Sequence, residues 1–454
     1  MRVYLHTFGC KANQYDTEKM RQELEARGAD PVSGWKDADV CVVNTCTVTS
    51  RADADARRIV RKMRRENPDA RIVVAGCSAA LRGHDYRRME GVSGVVPGQD
   101  PVQVAASVES SFSGRRLVQL GMEGALDRIH QEPVGAEILK RREGMTRGWL
   151  KIQDGCDRKC AFCATRLARG SSRSRPPAAI LREARALAMR HRELVLTGIH
   201  IGHYGRDLGP KAEEELGAPA SLSTLLRRLL EAVPDIRFRL GSVEATEVDD
   251  LLLELLATSG GRVAPHLHMP LQSGADPVLR RMRRWHTREM YRRRALEIAE
   301  RMSVLGLGAD VITGFPGETE ADHERTRALI QELPYTYLHV FPYSPREGTP
   351  AADAPDPVPE RVAGERSREL RELVRRKGRR YLAARIGGPA RVIVEGDGDR
   401  GLTGDYLRVG VRRGPEAAIG ATDGGAASGP RDIRSATLQG SPDDPYIELP
   451  RTSG

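Results

Sequence analysis

The chain has 454 residues, 30% of them charged, with a formal net charge of +10 and an isoelectric point near 9.4. That length holds two or three domains with cores of their own, and the basic balance leans toward a polyanionic partner. Aromatic residues make up only 4%, against an RNA reader built on stacked rings; no run of 18 apolar residues and no signal-peptide core occurs, so no membrane partner and a cytoplasmic location are expected.

Three short apolar runs open the chain, Val3–Leu5, Val40–Val43 and Ile72–Ala75, separated by helical stretches near Thr17–Arg27 and Arg51–Asn67. The order strand-helix-strand-helix-strand predicts an open parallel α/β sheet over residues 1–100, with its ligand site at the carboxyl ends of the strands. A cysteine follows each run: Cys10 in Phe8-Gly9-Cys10, Cys46 in Asn44-Thr45-Cys46, and Cys77 in Gly76-Cys77-Ser78. The topology brings these three to one edge. Cys41 lies inside an apolar run and reads as core. Seven cysteines, an odd number, point to reduced thiols and metal ligation rather than disulfides.

Residues 101–144 read as a connecting segment, with Ser, Gly and charge interleaved and the basic run Lys140-Arg141-Arg142 near its end. Next comes an apolar run, Trp149–Ile152, and then Gly155-Cys156-Asp157-Arg158-Lys159-Cys160-Ala161-Phe162-Cys163. Three thiolates at spacings of four and three can hold three corners of a 4Fe-4S cubane and leave the fourth iron open. That open iron is what S-adenosylmethionine chelates. Structural zinc is the competing reading, but it calls for a fourth ligand, and the nearest histidines, His130 and His191, are far along the chain.

From residue 145 to 358 strands and helices alternate again. Candidate strands are Trp149–Ile152, Leu194–Leu196, Arg237–Leu240, His266–His268, Ala309–Ile312 and Tyr337–Val340. Six repeats predict a partial (β/α)6 barrel, with chemistry at the carboxyl ends of its strands. The turns there carry Gly198, Ser242, Glu244 and Gln272; small residues let backbone approach a ligand, and Ser242, Glu244, Gln272 and Asp310 can hydrogen-bond one. Basic residues gather here: Arg158, Lys159, Arg166, Arg169, Arg173 and Arg175 with no acid among them, and nine Arg against three Glu over Val278–Met302. The strip Arg280, Arg281, Arg283 and Arg284 is expected to touch RNA phosphates.

A charged helix is expected from Glu360 to Arg376, connecting over 359–377 to a small β-barrel over 378–450 with strands such as Ala390–Val394 and Tyr406–Val411. Gly378–Gly454 carries 11 Arg and 10 acids, so this barrel is a weak electrostatic footprint. Ala417–Gly429 and the tail after Pro450 read as loop and disordered end.

The loop Cys156–Cys163, with Phe162 ahead of its last cysteine, resembles the Cys-x3-Cys-x2-Cys signature of radical S-adenosylmethionine enzymes, in which that aromatic lies near the adenine. Thr7–Glu18 and Val43–Thr49 resemble the amino-terminal domain of the methylthiotransferases, and Gly401–Val409 resembles the RNA-binding TRAM domain that closes them. This resemblance spans nearly the whole chain. It implies a cluster on Cys156, Cys160 and Cys163 that reduces S-adenosylmethionine to a 5′-deoxyadenosyl radical, and an auxiliary 4Fe-4S cluster on Cys10, Cys46 and Cys77 that presents sulfur. It also implies two S-adenosylmethionine per turnover, a pocket for the cofactor around Phe162, Gly198, Ser242, Glu244, Gln272 and Asp310, and an outside sulfur source and electron donor. Gly9-Cys10-Lys11-Ala12-Asn13-Gln14 looks most like the branch acting on threonylcarbamoyladenosine in the tRNA anticodon stem-loop. The isopentenyladenosine branch usually has Gly-Cys-Gln-Met-Asn there, and the branch modifying a ribosomal-protein aspartate Gly-Cys-Pro-Lys-Asn. Ala164-Thr165-Arg166-Leu167 departs from the usual Ile-Ile-Pro-Tyr. The alternative from another class is a non-catalytic metal-bearing RNA-binding protein.

Overall fold

Parallel strands β1 (Arg2–Thr7), β2 (Asp30–Pro31), β3 (Val40–Thr45), β4 (Arg71–Gly76) and β5 (Val92–Val95) form one sheet in the order β2-β1-β3-β4-β5. The structure is a computed structural model that describes residues 1–112, 138–140, 142, 144–396, 398–414 and 433–450. Most of the expected connecting segment, the loop over Ala417–Gly429 and the tail after Pro450 lie outside them.

β3 is central and buried along its whole length, which is why it is an unbroken apolar run. Its alternate side chains sort to two layers. Val40 and Val42 pack with Met20, Leu24, Val104 and Val108 from helices α1 (Lys11–Ala26) and α4 (Pro101–Phe112). Cys41 and Val43 pack with Ala56, Val60, Met63 and Tyr86 from α2 (Ser50–Glu66) and α3 (Cys77–Arg87). Cys41 is therefore core, fully buried. Pro101–Phe112, read from the sequence as the start of a connector, is a helix of this layer because Val104, Ala105 and Val108 share one face.

The middle region holds β6 (Gly148–Lys151), β7 (Gln153–Asp154), α5 (Thr165–Arg169), β8 (Arg173–Ser174), α6 (Pro177–Ala188), β9 (Glu193–Thr197), α7 (Pro210–Leu216), α8 (Leu222–Ala232), β10 (Arg237–Leu240), α9 (Asp250–Thr258), β11 (His266–His268), α10 (Asp276–Arg281), α11 (Arg288–Arg301), β12 (Gly306–Thr313), α12 (Glu320–Glu332) and β13 (Tyr337–Pro342). The six main strands make two parallel sheets, β10-β9-β6 and β11-β12-β13. Parallel bridges Phe238↔Val263 and Ser242↔His268 join them. The result is a partial barrel with helices outside and polar residues in its bore.

Helix α13 (Glu360–Arg385) runs nine residues beyond its expected end. Its last turns gain a partner: Arg385 Nε lies 2.9 Å from Asp405 Oδ2, and Tyr381 donates to the same oxygen at 2.7 Å. Strands β14 (Pro389–Glu395), β15 (Arg400–Thr403), β16 (Arg408–Arg413), β17 (Ile433–Ser441) and β18 (Asp444–Leu449) close in the order β14-β15-β16-β18-β17. The turn between β15 and β16 faces the floor of the middle barrel. Arg239 donates to the carbonyls of Thr403 and Gly404 at 2.9 Å each, and Tyr406 stacks on His266 with centroids 4.4 Å apart. Residues 401–405 are buried, so this stretch plugs the bore rather than offering its side chains to RNA. Among the described residues no helix is long and apolar enough to cross a membrane.

Candidate functional site

Each cysteine of the amino-terminal set stands where a strand hands over to a helix. Cys10 caps α1, Cys46 follows β3, and Cys77 opens α3 after β4. Cys46 and Cys77 are 3% and 5% exposed, and Cys10 is exposed. Cys46 and Cys10 lie close enough to Cys77 to disfavour its thiolate electrostatically; burial is the larger effect and pushes the Cys77 thiol up to about 12. Gly9, at φ +91°, explains the glycine before Cys10: a Cβ there would collide with Cys46 Sγ. Asn13 ties the loops together. Its Nδ2 donates to the Phe8 carbonyl at 2.9 Å and the Thr45 carbonyl at 2.8 Å, holding the backbone near Cys10 and Cys46.

The second set sits on the loop between β7 and α5. The Cys156 N–H donates to the Gly170 carbonyl at 3.0 Å, and the Cys163 N–H to the Cys160 carbonyl at 3.2 Å. Burial pushes the Cys156 thiol up to about 12. Gln153 braces the loop from below. Its Oε1 accepts from the N–H groups of Ile199 (3.1 Å) and His200 (2.8 Å), while its Nε2 reaches the carbonyls of Asp154 (2.8 Å) and Gly155 (2.7 Å). Two sulfurs carry polar neighbours: His200 Nδ1 lies 3.5 Å from Cys156 Sγ, and Arg284 Nη1 3.5 Å from Cys160 Sγ. His200 Nε2 is 2.8 Å from Glu247 Oε1.

Each trio has a guanidinium N–H at one sulfur, Arg169 Nε at Cys77 (3.2 Å) and Arg284 Nη1 at Cys160 (3.5 Å), and so fits metal-bound thiolates. Cationic donors favour the charged form of sulfur and stabilise the net negative charge that cysteine-ligated iron clusters carry. A bridging disulfide is ruled out as the state shown: all seven cysteines are free.

The other residues singled out from sequence are placed as follows. Phe162 packs against the buried cluster of Ala275, Val278, Met282 and Phe315 beside the cysteine loop. The close approach that Gly198 permits is to Gln153, whose carbonyl oxygen would lie 2.7 Å from an added Cβ. Ser242 is exposed after β10. Glu244 is buried and bonded by Arg284 at 2.5 Å. Gln272 adopts φ +67°, and its backbone bridges Asp310 and Ile312. Asp310 is flanked by His268 and His339 at 3.2 Å each; burial disfavours its charge, but those hydrogen bonds hold it well below the usual carboxylate range.

The basic residues divide sharply. Arg280, Arg281 and Arg283 are exposed, as expected for an RNA-facing strip. Arg284 is not part of it: its side chain is 3% exposed, stacks over Trp285 at 4.1 Å and points at Cys160 and Glu244. Arg169 and Arg175 are also buried, at 0% and 1%, and Arg175 pairs with Glu183 at 2.9 Å. Neither faces solvent with the rest of the basic group beside the cysteine loop: Arg169 meets Asp16 and Asp154, and Arg175 meets Glu183.

The bore below is also charged. Glu193 accepts from Arg237 at 2.5 Å and Arg239 at 2.9 Å, with Arg147 at 3.7 Å. Lys11, next to Cys10, joins this set. Burial, reinforced by Arg147 and Arg239, pushes its ammonium down to about 8. Sequence reasoning missed Asn13, Gln153, His200 and Arg284 as site-building residues. Asn13 and His200 lay inside stretches already noted for their cysteine or glycine neighbours.

Comparison with known proteins bears on this arrangement. Residues 2–98 match an uncharacterised protein family, UPF0004, and residues 150–330 match the radical SAM superfamily. Threonylcarbamoyladenosine tRNA methylthiotransferase MtaB of Bacillus subtilis (strain 168) is 36% identical over 427 residues, covering 92% of each chain. The protein of the same name from Rickettsia prowazekii (strain Madrid E) is 34% identical, covering 87% of this chain and 88% of its own. A tRNA-2-methylthio-N(6)-dimethylallyladenosine synthase of Erythrobacter litoralis (strain HTCC2594) is 33% identical, covering 86% of each. Among solved structures, the radical S-adenosylmethionine methyltransferase TsrM from Kitasatospora setae, with cobalamin and a [4Fe-4S] cluster bound, superposes with a TM-score of 0.56. At 17% identity, over 82% of this chain and 84% of that one, it carries the fold alone.

Proposed function

This chain belongs to the radical S-adenosylmethionine methylthiotransferases, and from that premise we propose that it acts on tRNA, converting threonylcarbamoyladenosine beside the anticodon to its 2-methylthio derivative. Cys156, Cys160 and Cys163 would hold the 4Fe-4S cluster to which S-adenosylmethionine binds, and Cys10, Cys46 and Cys77 an auxiliary one. When bound, these groups supply a radical able to take hydrogen from an unactivated carbon and an iron site for sulfur. A second S-adenosylmethionine as methyl donor, an external reductant and a sulfur source would complete the reaction. The chain's own residues hold the loops: Gln153 and Asn13 fix their backbones, Arg284 places an N–H at Cys160, and His200 stands beside Cys156.

Relatives named for two different tRNA substrates match this chain at similar identity, so overall likeness does not choose the base. The observation that carries the choice is Lys11. It follows Cys10 directly and lies within electrostatic range of Arg147, Arg239 and Glu193, adding a cation to a set in which Arg147, Arg237 and Arg239 already face Glu193. Threonylcarbamoyladenosine carries a carboxylate on its threonyl arm; a dimethylallyl arm is apolar and gains nothing from such a set.

Mass spectrometry of tRNA nucleosides from a strain lacking the gene tests this. Loss of the methylthio mark on threonylcarbamoyladenosine is expected, restored by the intact gene but not by Cys10→Ala or Cys156→Ala. Loss of a different methylthio nucleoside with that mark intact would overturn the substrate assignment and leave the chemistry. With every methylthio nucleoside unchanged, and redundant genes removed, the tRNA substrate would fall and the ribosomal-protein aspartate would become the leading reading.

A further inference from the structure

Arg169 joins the two cysteine trios. It is the last residue of α5, which begins two residues after Cys163, and its side chain is fully buried. Nε donates to Cys77 Sγ at 3.2 Å. Nη1 donates to both oxygens of Asp154 at 2.9 and 3.0 Å, and Nη2 to Asn13 Oδ1 at 2.6 Å and Asp16 Oδ2 at 2.7 Å. Lys151 Nζ completes the set, 2.7 Å from Asp16 Oδ1 and 2.6 Å from Asp154 Oδ2.

Three features make this more than a buried ion pair. Both carboxylates are already balanced by two cations, so the hydrogen bond to Cys77 is additional to charge neutrality among the side chains. Every edge of the guanidinium is used, which fixes the plane of the group and the direction of its Nε–H. The contacts also run to both trios. Asn13 holds the loops of Cys10 and Cys46, Asp154 is two residues before Cys156, and Gly170, next to Arg169, accepts from the Cys156 N–H.

We propose that Arg169 is a positioning residue that raises the reduction potential of the cluster on Cys10, Cys46 and Cys77 through its hydrogen bond to Cys77 and locks that trio to the Cys156 loop. A charged donor on a ligating sulfur stabilises the added electron of the reduced cluster. The inference rests on the auxiliary cluster of the proposed function, so the test first establishes that cluster.

The full chain carrying Cys156→Ala, Cys160→Ala and Cys163→Ala keeps only the amino-terminal trio. Reconstituted without oxygen, it should retain about four irons and a paramagnetic signal on reduction. No iron would remove the auxiliary cluster and this inference together. With iron present, Arg169→Lys is added: lysine keeps the charge that Asp16 and Asp154 face but cannot also bond Cys77. Redox titration followed by electron paramagnetic resonance should show the reduction equilibrium weakened at least tenfold, about 59 mV for one electron. A change under twofold with the cluster intact would overturn the proposal. A second readout needs no change at Arg169. In the triple-alanine chain grown with guanidino-15N arginine, the reduced cluster should show 15N hyperfine coupling from Arg169, because Arg284 bonds a position that is no longer a ligand. Absence of that coupling would overturn the proposal even if the lysine variant fails to assemble.

Discussion

Arg284 points one guanidinium nitrogen at Cys160 Sγ, 3.5 Å away, and another at Glu244, 2.5 Å away. A residue from a conspicuously basic run is thereby turned inward against the cysteine loop. Burial favours neutral Glu244, and the Arg284 guanidinium opposes it. Arg284→Ala leaves that carboxylate buried without its cation, at a cost of about 3–5 kcal/mol. The expected outcome is loss of iron from the Cys156 trio and a lower urea midpoint, measured by iron assay and tryptophan fluorescence.

The neighbours of Arg284 behave differently. Arg280 and Arg283 are exposed and should meet phosphate rather than protein. Arg280→Gln with Arg283→Gln should flatten the log-log salt dependence of tRNA binding by about 0.7–0.9 for each lost contact. Filter binding between low and moderate salt measures this, and an unchanged slope would show that RNA does not lie on this strip.

Gly9→Ala should abolish the auxiliary cluster proposed on Cys10, Cys46 and Cys77 without touching a cysteine. The residue holds φ +91°, and its added methyl would occupy the place of Cys46 Sγ. Iron per chain is expected to fall from about eight to about four, with the other trio unaffected. Full iron loading of Gly9→Ala would show that Cys46 can move away and still ligate.

His286 sets a pH dependence. It is 4% exposed, its Nε2 has no hydrogen-bond partner among the described residues, and burial pushes its pKa down to about 4, with Arg284 adding to the effect. The folded protein therefore binds this proton less readily than the unfolded chain. The stability contribution is whole above pH 6.5 and is lost as pH falls toward 4, amounting to about 2 kcal/mol by pH 5. His286→Phe should lose less of its urea midpoint between pH 7 and pH 5 than the unaltered chain, read by tryptophan fluorescence.

The strands were legible because their causes are local. Val40–Val43 and Ile72–Ala75 are apolar on both faces, and both faces are covered. The cysteines were legible because glycine or threonine precedes each one where a strand gives way to a helix, so topology alone gathers them. The fate of the arginines was not. A basic run reads the same whether it meets water or a carboxylate far along the chain, and Arg169 meets Cys77 from 92 positions away and Arg284 meets Cys160 from 124. The unusual Ala164–Leu167 stretch becomes intelligible the same way: it opens the short helix that delivers Arg169.

The floor of the middle barrel has a practical meaning for anyone dissecting the molecule. Arg237 and Arg239 spend their outer hydrogens on main-chain oxygens of Arg391, Thr403 and Gly404. Cutting the chain after the long helix would strip those acceptors away, admit solvent under Glu193 and leave Tyr406's seat on His266 empty. A truncated enzyme that no longer works would thus have lost its watertight base together with any grip on nucleic acid. Separating the two calls for recolouring the outer surface of the terminal barrel, charge by charge, while its inward turn is left alone.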